Sequence, residues 1–165
     1  MEPSIKLFVP LGTQKFPFNR LITALNRLIK EGIYKPEEII MQSSVYEIDP
    51  MFTHYKTLPI DEFNRYIKTA EVVITHSGVN SIITCMDMKK PLVIVPRLKI
   101  YGEHVDDHQL EIANLMARKF GIITLLDLDN LKEAIEKAKT THYEPWISKR
   151  DSLIDQLRKD LEQML

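Results

Sequence analysis

The sequence predicts an α/β fold built on a doubly wound parallel sheet, and three observations carry that prediction. Short apolar, β-branched runs of strand length recur along the chain, amphipathic stretches at helical spacing separate them, and glycine or proline closes most of those stretches. Strand alternating with helix favours parallel pairing with right-handed crossovers. At 165 residues the chain has the length of one domain.

Ile5-Lys6-Leu7-Phe8-Val9 reads as the first strand, followed by the loop Pro10-Leu11-Gly12-Thr13-Gln14. Leu21, Ile22, Leu25, Leu28 and Ile29 then recur at helical spacing, with Asn19 as cap and Gly32 as stop. Glu38-Ile39-Ile40-Met41-Gln42 is the second strand, and residues 43–55 read as irregular. Lys56-Thr57-Leu58-Pro59-Ile60 reads as a short strand leading into a helix capped by Asp61.

Val72-Val73-Ile74-Thr75 is a buried strand, and the small polar turn that follows opens a helix closed by Lys89-Lys90-Pro91. Leu92-Val93-Ile94-Val95-Pro96 is the next buried run. Residues 97–103 read as loop, and 105–120 as a helix with Leu110, Ile112, Ala113, Met116 and Ala117 on one face and Gly121 as its stop. Residues 122–126 form another strand and 131–139 another helix. Pro145 breaks the chain, dividing a domain over 1–145 from an amphipathic helix over 146–165 whose Leu153, Ile154, Leu157 and Leu161 share a face. That face has three readings: packing on its own sheet, docking on a partner subunit, or lying on a bilayer surface.

Composition excludes several classes. A net charge of -1 gives no electrostatic case for nucleic acid. The single cysteine, Cys85, forms no internal disulfide and falls mid-helix, so it reads as a buried side chain in a reducing compartment. No apolar run approaches the ~20 residues of a membrane span, and Met1-Glu2-Pro3 is unlike a signal peptide, so a cytoplasmic location is expected. His54 and His142 read as isolated loop histidines. His104 and His108 lie four apart with no third ligand evident, and Asp127-Leu128-Asp129 reads as a helix cap rather than a metal motif. Gly-x-Ser-x-Gly and Walker-lysine patterns are absent, which disfavours hydrolase and ATPase chemistry.

The chemistry concentrates after the strand at 72–75. The first amides of the helix beginning near Ser77 have no partner within it, and the aligned peptide dipoles make that end partly positive, so an anion fits there. Gly78 lets a ligand approach the backbone, Ser77 and Ser81 offer hydroxyls, and His76 ends the strand at the rim. The loop with Gly12, Thr13 and Gln14 and the segment 101–109 fall at the same carboxyl edge, where ligands of open α/β sheets bind. In that segment Asp107, His108 and Gln109 are able to pair with vicinal hydroxyls, and Asp106 or Asp107 could equally serve as a plain helix cap.

His76-Ser77-Gly78-Val79-Asn80-Ser81, then Pro91-Leu92-Val93-Ile94-Val95-Pro96, then Asp107-His108-Gln109 resemble the C-terminal, nucleotide-sugar-binding domain of family 28 glycosyltransferases. The likeness covers residues 5 to about 139. It is strongest to stand-alone versions: the catalytic subunit of the split enzyme adding the second N-acetylglucosamine to dolichol-linked sugar, and bacterial capsule and exopolysaccharide relatives. The stretch 96–109 resembles the bacterial branch.

The resemblance implies a Rossmann-like sheet forming the C-terminal half of a GT-B enzyme, with UDP-sugar as substrate; because no Asp-x-Asp metal motif occupies a suitable loop, no metal or other cofactor is expected. It implies a membrane-anchored partner subunit that binds a lipid-linked saccharide acceptor and recruits this chain to the inner face of the membrane. Residues Ser77, Gly78, Val79, Asn80 and Ser81 would hold the donor diphosphate, and Asp107, His108 and Gln109 the transferred sugar. Gly12, Thr13 and Gln14 would face the cleft, and Pro96 or Arg97 would touch the nucleoside by backbone. The catalytic base is unassigned, with His76 the one candidate. Relatives commonly carry a ribose-binding glutamate on the helix where this chain has Thr84, which makes one such bond against a carboxylate's two. That departure also permits an alternative, a non-catalytic nucleotide-sugar-binding module.

Overall fold

A computed structural model describes residues 5–142 together with Arg158, Lys159, Glu162 and Gln163, which are helical. The boundary expected at Pro145, and all but those four residues of the helix expected over 146–165, lie outside the described residues. The elements are β1 Leu7–Pro10, α1 Asn19–Lys30, β2 Ile39–Gln42, β3 Thr53–Tyr55, α2 Ile60–Thr69, β4 Val72–Thr75, α3 Val79–Asp87, β5 Leu92–Ile94, α4 His108–Phe120, β6 Ile123–Thr124 and α5 Leu131–Thr140. Single 3-10 turns cover Pro36–Glu38, Lys99–Tyr101 and Leu128–Asn130.

All six strands pair in parallel, in the order β3-β2-β1-β4-β5-β6. The chain therefore runs outward from β1 to one edge, returns, and runs outward to the other. The reversal falls between β1 and β4, where Leu7 pairs with Val72 and Phe8 with Val73. At such a reversal the loops on either side diverge and leave a crevice beyond the carboxyl ends of the strands.

Strand side chains alternate between two cores, as the period of two requires. Leu7, Val9, Ile39, Met41, Val72, Ile74 and Val93 pack on α1 and α5 through Leu21, Leu25, Leu131 and Ile135. Phe8, Ile40, Val73, Leu92 and Ile94 pack on α2, α3 and α4 through Ile67, Ile82, Met86, Ala113 and Met116. Each fully buried side chain of this size is worth about 1.5–3 kcal/mol. Both sides of the sheet are covered, which is why its strands read as unbroken apolar runs.

Several boundaries differ from the sequence expectation. Residues 53–55, expected to be irregular, form the edge strand β3, whereas 56–60, expected as strand, lead directly into α2. Pro59 precedes that helix and Asp61 sits inside its first turn, so the carboxylate meets the dipole without capping an amide. Asn19 is likewise the first residue of α1, and its side-chain amide donates to Glu47 Oε2 at 3.2 Å. Asp127 does cap, accepting from the Asp129 amide at 3.0 Å.

Candidate functional site

The crevice beyond β1 and β4 is walled by three loops, those following β1, β4 and β5. The chain leaves β4 through His76 and Ser77, both buried, and Gly78 caps α3 with extended backbone at φ −80 and ψ 117. Because α3 starts at Val79, the amides of Gly78, Val79, Asn80 and Ser81 point out of its first turn. Among the described residues no hydrogen bond uses them. The Ser77 amide and hydroxyl, by contrast, are taken: the amide donates to Gln109 Oε1 at 3.4 Å and the hydroxyl to the Gln109 carbonyl at 2.7 Å.

His76 sits between two glycines. A Cβ on Gly78 would lie 2.9 Å from His76 Nε2, and one on Gly12 would lie 3.4 Å from the same atom. Gly12 also has φ +75, a conformation that side chains other than glycine's resist. Burial, with Arg97 and His104 adding repulsion, pushes His76 down to about 4 against a weaker opposing effect of its hydrogen bond to Gln109. The ring is therefore neutral at physiological pH.

Gln109, on the first turn of α4, is 5% exposed. Besides its contacts with Ser77, its Oε1 accepts from the Arg97 amide at 2.9 Å and its Nε2 lies 3.0 Å from His76 Nδ1. Its amide is thus spent inside the fold, joining the loops after β4 and β5. The neighbours expected to act with it have partners of their own on the surface: Asp107 Oδ1 accepts from the Lys99 amide at 2.9 Å, and His108 pairs with Asp106 and Glu111 at 3.5 and 3.3 Å. Asp106, not Asp107, accepts from the helix-start amide of His108 at 3.1 Å. That bond, ahead of the nearby His108 and His104 rings, holds the Asp106 carboxyl below its ordinary value. Asp107 itself is exposed.

Arg97 is the largest fully buried side chain described, at 1% exposure. Its guanidinium donates to the carbonyls of Phe16 at 2.8 Å, Leu11 at 3.2 Å and Glu103 at 3.4 Å, and lies over the Phe18 ring at 4.9 Å. Desolvation lowers it to about 10 despite the nearby Glu103. Next to it, Arg20 grips Glu103 with two bonds of 3.0 and 3.1 Å and also donates to the carbonyls of Pro96 and Leu126. Of the backbone groups expected to meet a nucleoside, the Pro96 carbonyl and the Arg97 amide are thus already paired within the chain. Nothing in the local sequence marks this network, because its partners lie up to 106 residues apart.

Gly12 is held from below by Gln42, whose side chain accepts from the Gly12 amide at 3.1 Å and donates to its carbonyl at 3.2 Å. Thr13 is exposed and Gln14 half-buried. Thr84 turns its hydroxyl back onto the Asn80 carbonyl at 2.8 Å. Burial pushes the Cys85 thiol up to about 12, leaving it unreactive. A cavity of about 620 Å³ opens beside the Arg20 network, lined by Asn19, Tyr101, Leu126 and Asp127 among others, and includes none of the residues expected at the site. Among the described residues no group of three His, Cys, Asp or Glu is placed to hold a metal ion, and no helix is long and apolar enough to cross a membrane.

A parallel sheet reversing at β1 and β4, with helices on both faces, defines a Rossmann-like α/β fold of the kind found in the C-terminal domains of GT-B glycosyltransferases. Residues 6–161 match the glycosyltransferase family 28 C-terminal domain, and the chain belongs to that family. It is 42% identical over 50 residues to the UDP-N-acetylglucosamine transferase subunit ALG13 of Candida albicans, a match covering 30% of this chain and 16% of that protein. The same subunit of Debaryomyces hansenii is 28% identical over 77 residues, 47% of this chain and 36% of that protein. The matches thus span well under half of these relatives. In three dimensions the chain is similar to the solution structure of ALG13, with TM-score 0.58, 16% identity and coverage of 93% and 95% of the two chains. The glycosyltransferase of kitacinnamycin gives TM-score 0.57 at 17% identity, covering 98% of this chain and 40% of that one.

Proposed function

We propose that the chain is the donor-binding subunit of a two-chain inverting glycosyltransferase that moves a sugar from a UDP-sugar to a lipid-linked acceptor. The observation carrying this reading is the set of outward amides at 78–81 with His76 Nε2 beside them, at the reversal of the sheet. A diphosphate set there meets the positive end of α3 and up to four N–H donors, which stabilise charge as it builds on departing UDP. The acceptor hydroxyl attacks the anomeric carbon, the bond to the diphosphate oxygen breaks, and a base takes the hydroxyl proton. His76 is not that base, since burial lowers its pKa to about 4 and Nδ1, the ring nitrogen that offers a lone pair, is taken by the Gln109 side-chain amide. The base then comes from the half that completes the cleft, on a partner chain. That partner is the membrane-anchored subunit, and this chain reaches the inner face of the membrane through it. No divalent metal is needed where the helix start neutralises the phosphate charge.

With Gln109 committed inside, Asp107 and His108 are the groups of that loop left for the transferred sugar. The matched curated relatives are fungal subunits of a UDP-N-acetylglucosamine transferase, which supports a dolichol-type pathway over the capsule or exopolysaccharide setting. A second reading, a binding module without chemistry, is favoured by Thr84, whose hydroxyl is turned onto its own helix. Membranes carrying this chain and its partner separate the two. Transfer of radiolabelled sugar from UDP to lipid, absent with either chain alone and abolished by Gly78→Val, supports the transferase; binding of UDP without transfer leaves the module.

A further inference from the structure

The polar contacts of Gln109 fix more than two loops. Backbone amides only donate, so the Gln109 atom that meets the amides of Arg97 at 2.9 Å and Ser77 at 3.4 Å is its carbonyl oxygen. The other end, an NH2 with hydrogens and no lone pair to offer, then faces His76 Nδ1 at 3.0 Å. Nδ1 must accept, so it carries no proton. In a neutral imidazole the single proton is left on Nε2.

We propose that Gln109 is a positioning residue that locks His76 in the Nε2–H form, so that a fixed, uncharged donor faces the anion-binding start of α3. Nε2 has no partner among the described residues, lies against Gly78 at that helix start, and belongs to a side chain 7% exposed. The two glycines beside it leave the space that a ligand oxygen needs. The titratable or charged groups facing the ring, Arg97 and His104, both oppose a second proton, so the ring remains a donor without becoming a cation. A donor of this kind keeps its proton while negative charge grows on a leaving phosphate. This rests on the reading of the crevice as a diphosphate site, and it adds the residue that sets the donor's polarity.

Exchanging the side-chain amide for a carboxylate is the informative change. In Gln109→Glu a carboxylate still accepts from both backbone amides but can only accept from Nδ1, which reverses the third bond. Long-range nitrogen–proton NMR of histidine-labelled protein reads the tautomer directly, and titration calorimetry with UDP reads the site. The wild type is expected to show His76 with its proton on Nε2 throughout pH 6–8, and that Nε2–H signal to move on adding UDP. Gln109→Glu is expected to put a proton on Nδ1 and to weaken UDP about tenfold at pH 8, while His76→Phe weakens it comparably without any pH dependence of its own. A wild-type ring protonated on Nδ1 overturns the proposal even if the variant fails to fold, as does a tautomer unchanged in Gln109→Glu. UDP that binds without moving the Nε2–H signal overturns the donor role, and UDP that does not bind at all overturns the reading of the crevice while leaving the tautomer result standing.

Discussion

Arg20 Nε and Nη2 meet the two carboxylate oxygens of Glu103 at 3.1 and 3.0 Å, a paired grip on a side chain that is only 1% exposed. The pair joins the start of α1 to the loop after β5, two segments 83 residues apart.

Removing one partner of that pair strands the other. Arg20→Met is expected to destabilise the protein by about 3 kcal/mol, because Glu103 keeps a buried charge that loses both bonds of its fork and is left with the Leu98 amide and the nearby Arg97 guanidinium. Arg20→Lys retains the charge but loses the fork, and is expected to cost less. Urea unfolding at pH 7.5 measures both, and equal losses for the two would show that the charge alone matters.

Gly78 and Gly12 flank the same ring for different reasons, so alanine separates them. Gly78 has backbone angles that alanine adopts freely, and the clash of its Cβ with His76 Nε2 displaces the ring. Gly78→Ala is expected to weaken UDP at least tenfold in calorimetry while lowering stability by roughly 1–3 kcal/mol. Gly12 carries φ +75, so Gly12→Ala is expected to act chiefly on stability, by about 1–2 kcal/mol.

Stability is expected to fall on the acid side of neutrality. His76 titrates near 6.5 in the unfolded chain and near 4 when folded, so between these values the unfolded state binds more protons. The stabilisation is complete above pH 6.5 and is lost as pH drops through 4, by up to about 3 kcal/mol at 1.36 kcal/mol per pH unit. Denaturation midpoints from pH 7.5 to 4.5 test this, with His76→Phe flattening that part of the profile. Arg97, His104 and Gln109 face the ring, and changing Arg97 shifts the window.

Thr84 offers a gain rather than a loss. Its hydroxyl spends its hydrogen on the Asn80 carbonyl, at a place where the family resemblance implies a ribose-binding glutamate. Thr84→Glu is expected to tighten UDP by three- to tenfold relative to wild type and to leave deoxyuridine diphosphate less affected. An unchanged ratio of the two nucleotides would remove Thr84 from the nucleoside contact.

What the sequence revealed follows from which contacts are local. The runs at 72–75 and 92–95 announce themselves because a doubly covered strand has to be apolar throughout, and the helices between them show their period of 3.6. Strand β3 escaped because Thr53-His54-Tyr55 is a short edge strand with none of its three residues buried, and its pairing energy comes from β2, not from its own residues. The helix start at Gly78 was legible for the same local reason. The inward commitment of Gln109 and the burial of Arg97 were not, since a glutamine at a helix start and an arginine after a strand look the same whether they face solvent or carbonyls from distant loops.

The three carbonyls gathered by Arg97 tether the lip of the crevice after β1 to the lip after β5 before any ligand arrives. Ordering entropy at these two lips has already been spent in folding, so a nucleotide entering there meets a preorganised surface. On the proposed reading, a closing swing over a bound nucleotide belongs to the partner chain, moving as a jaw against a fixed anvil.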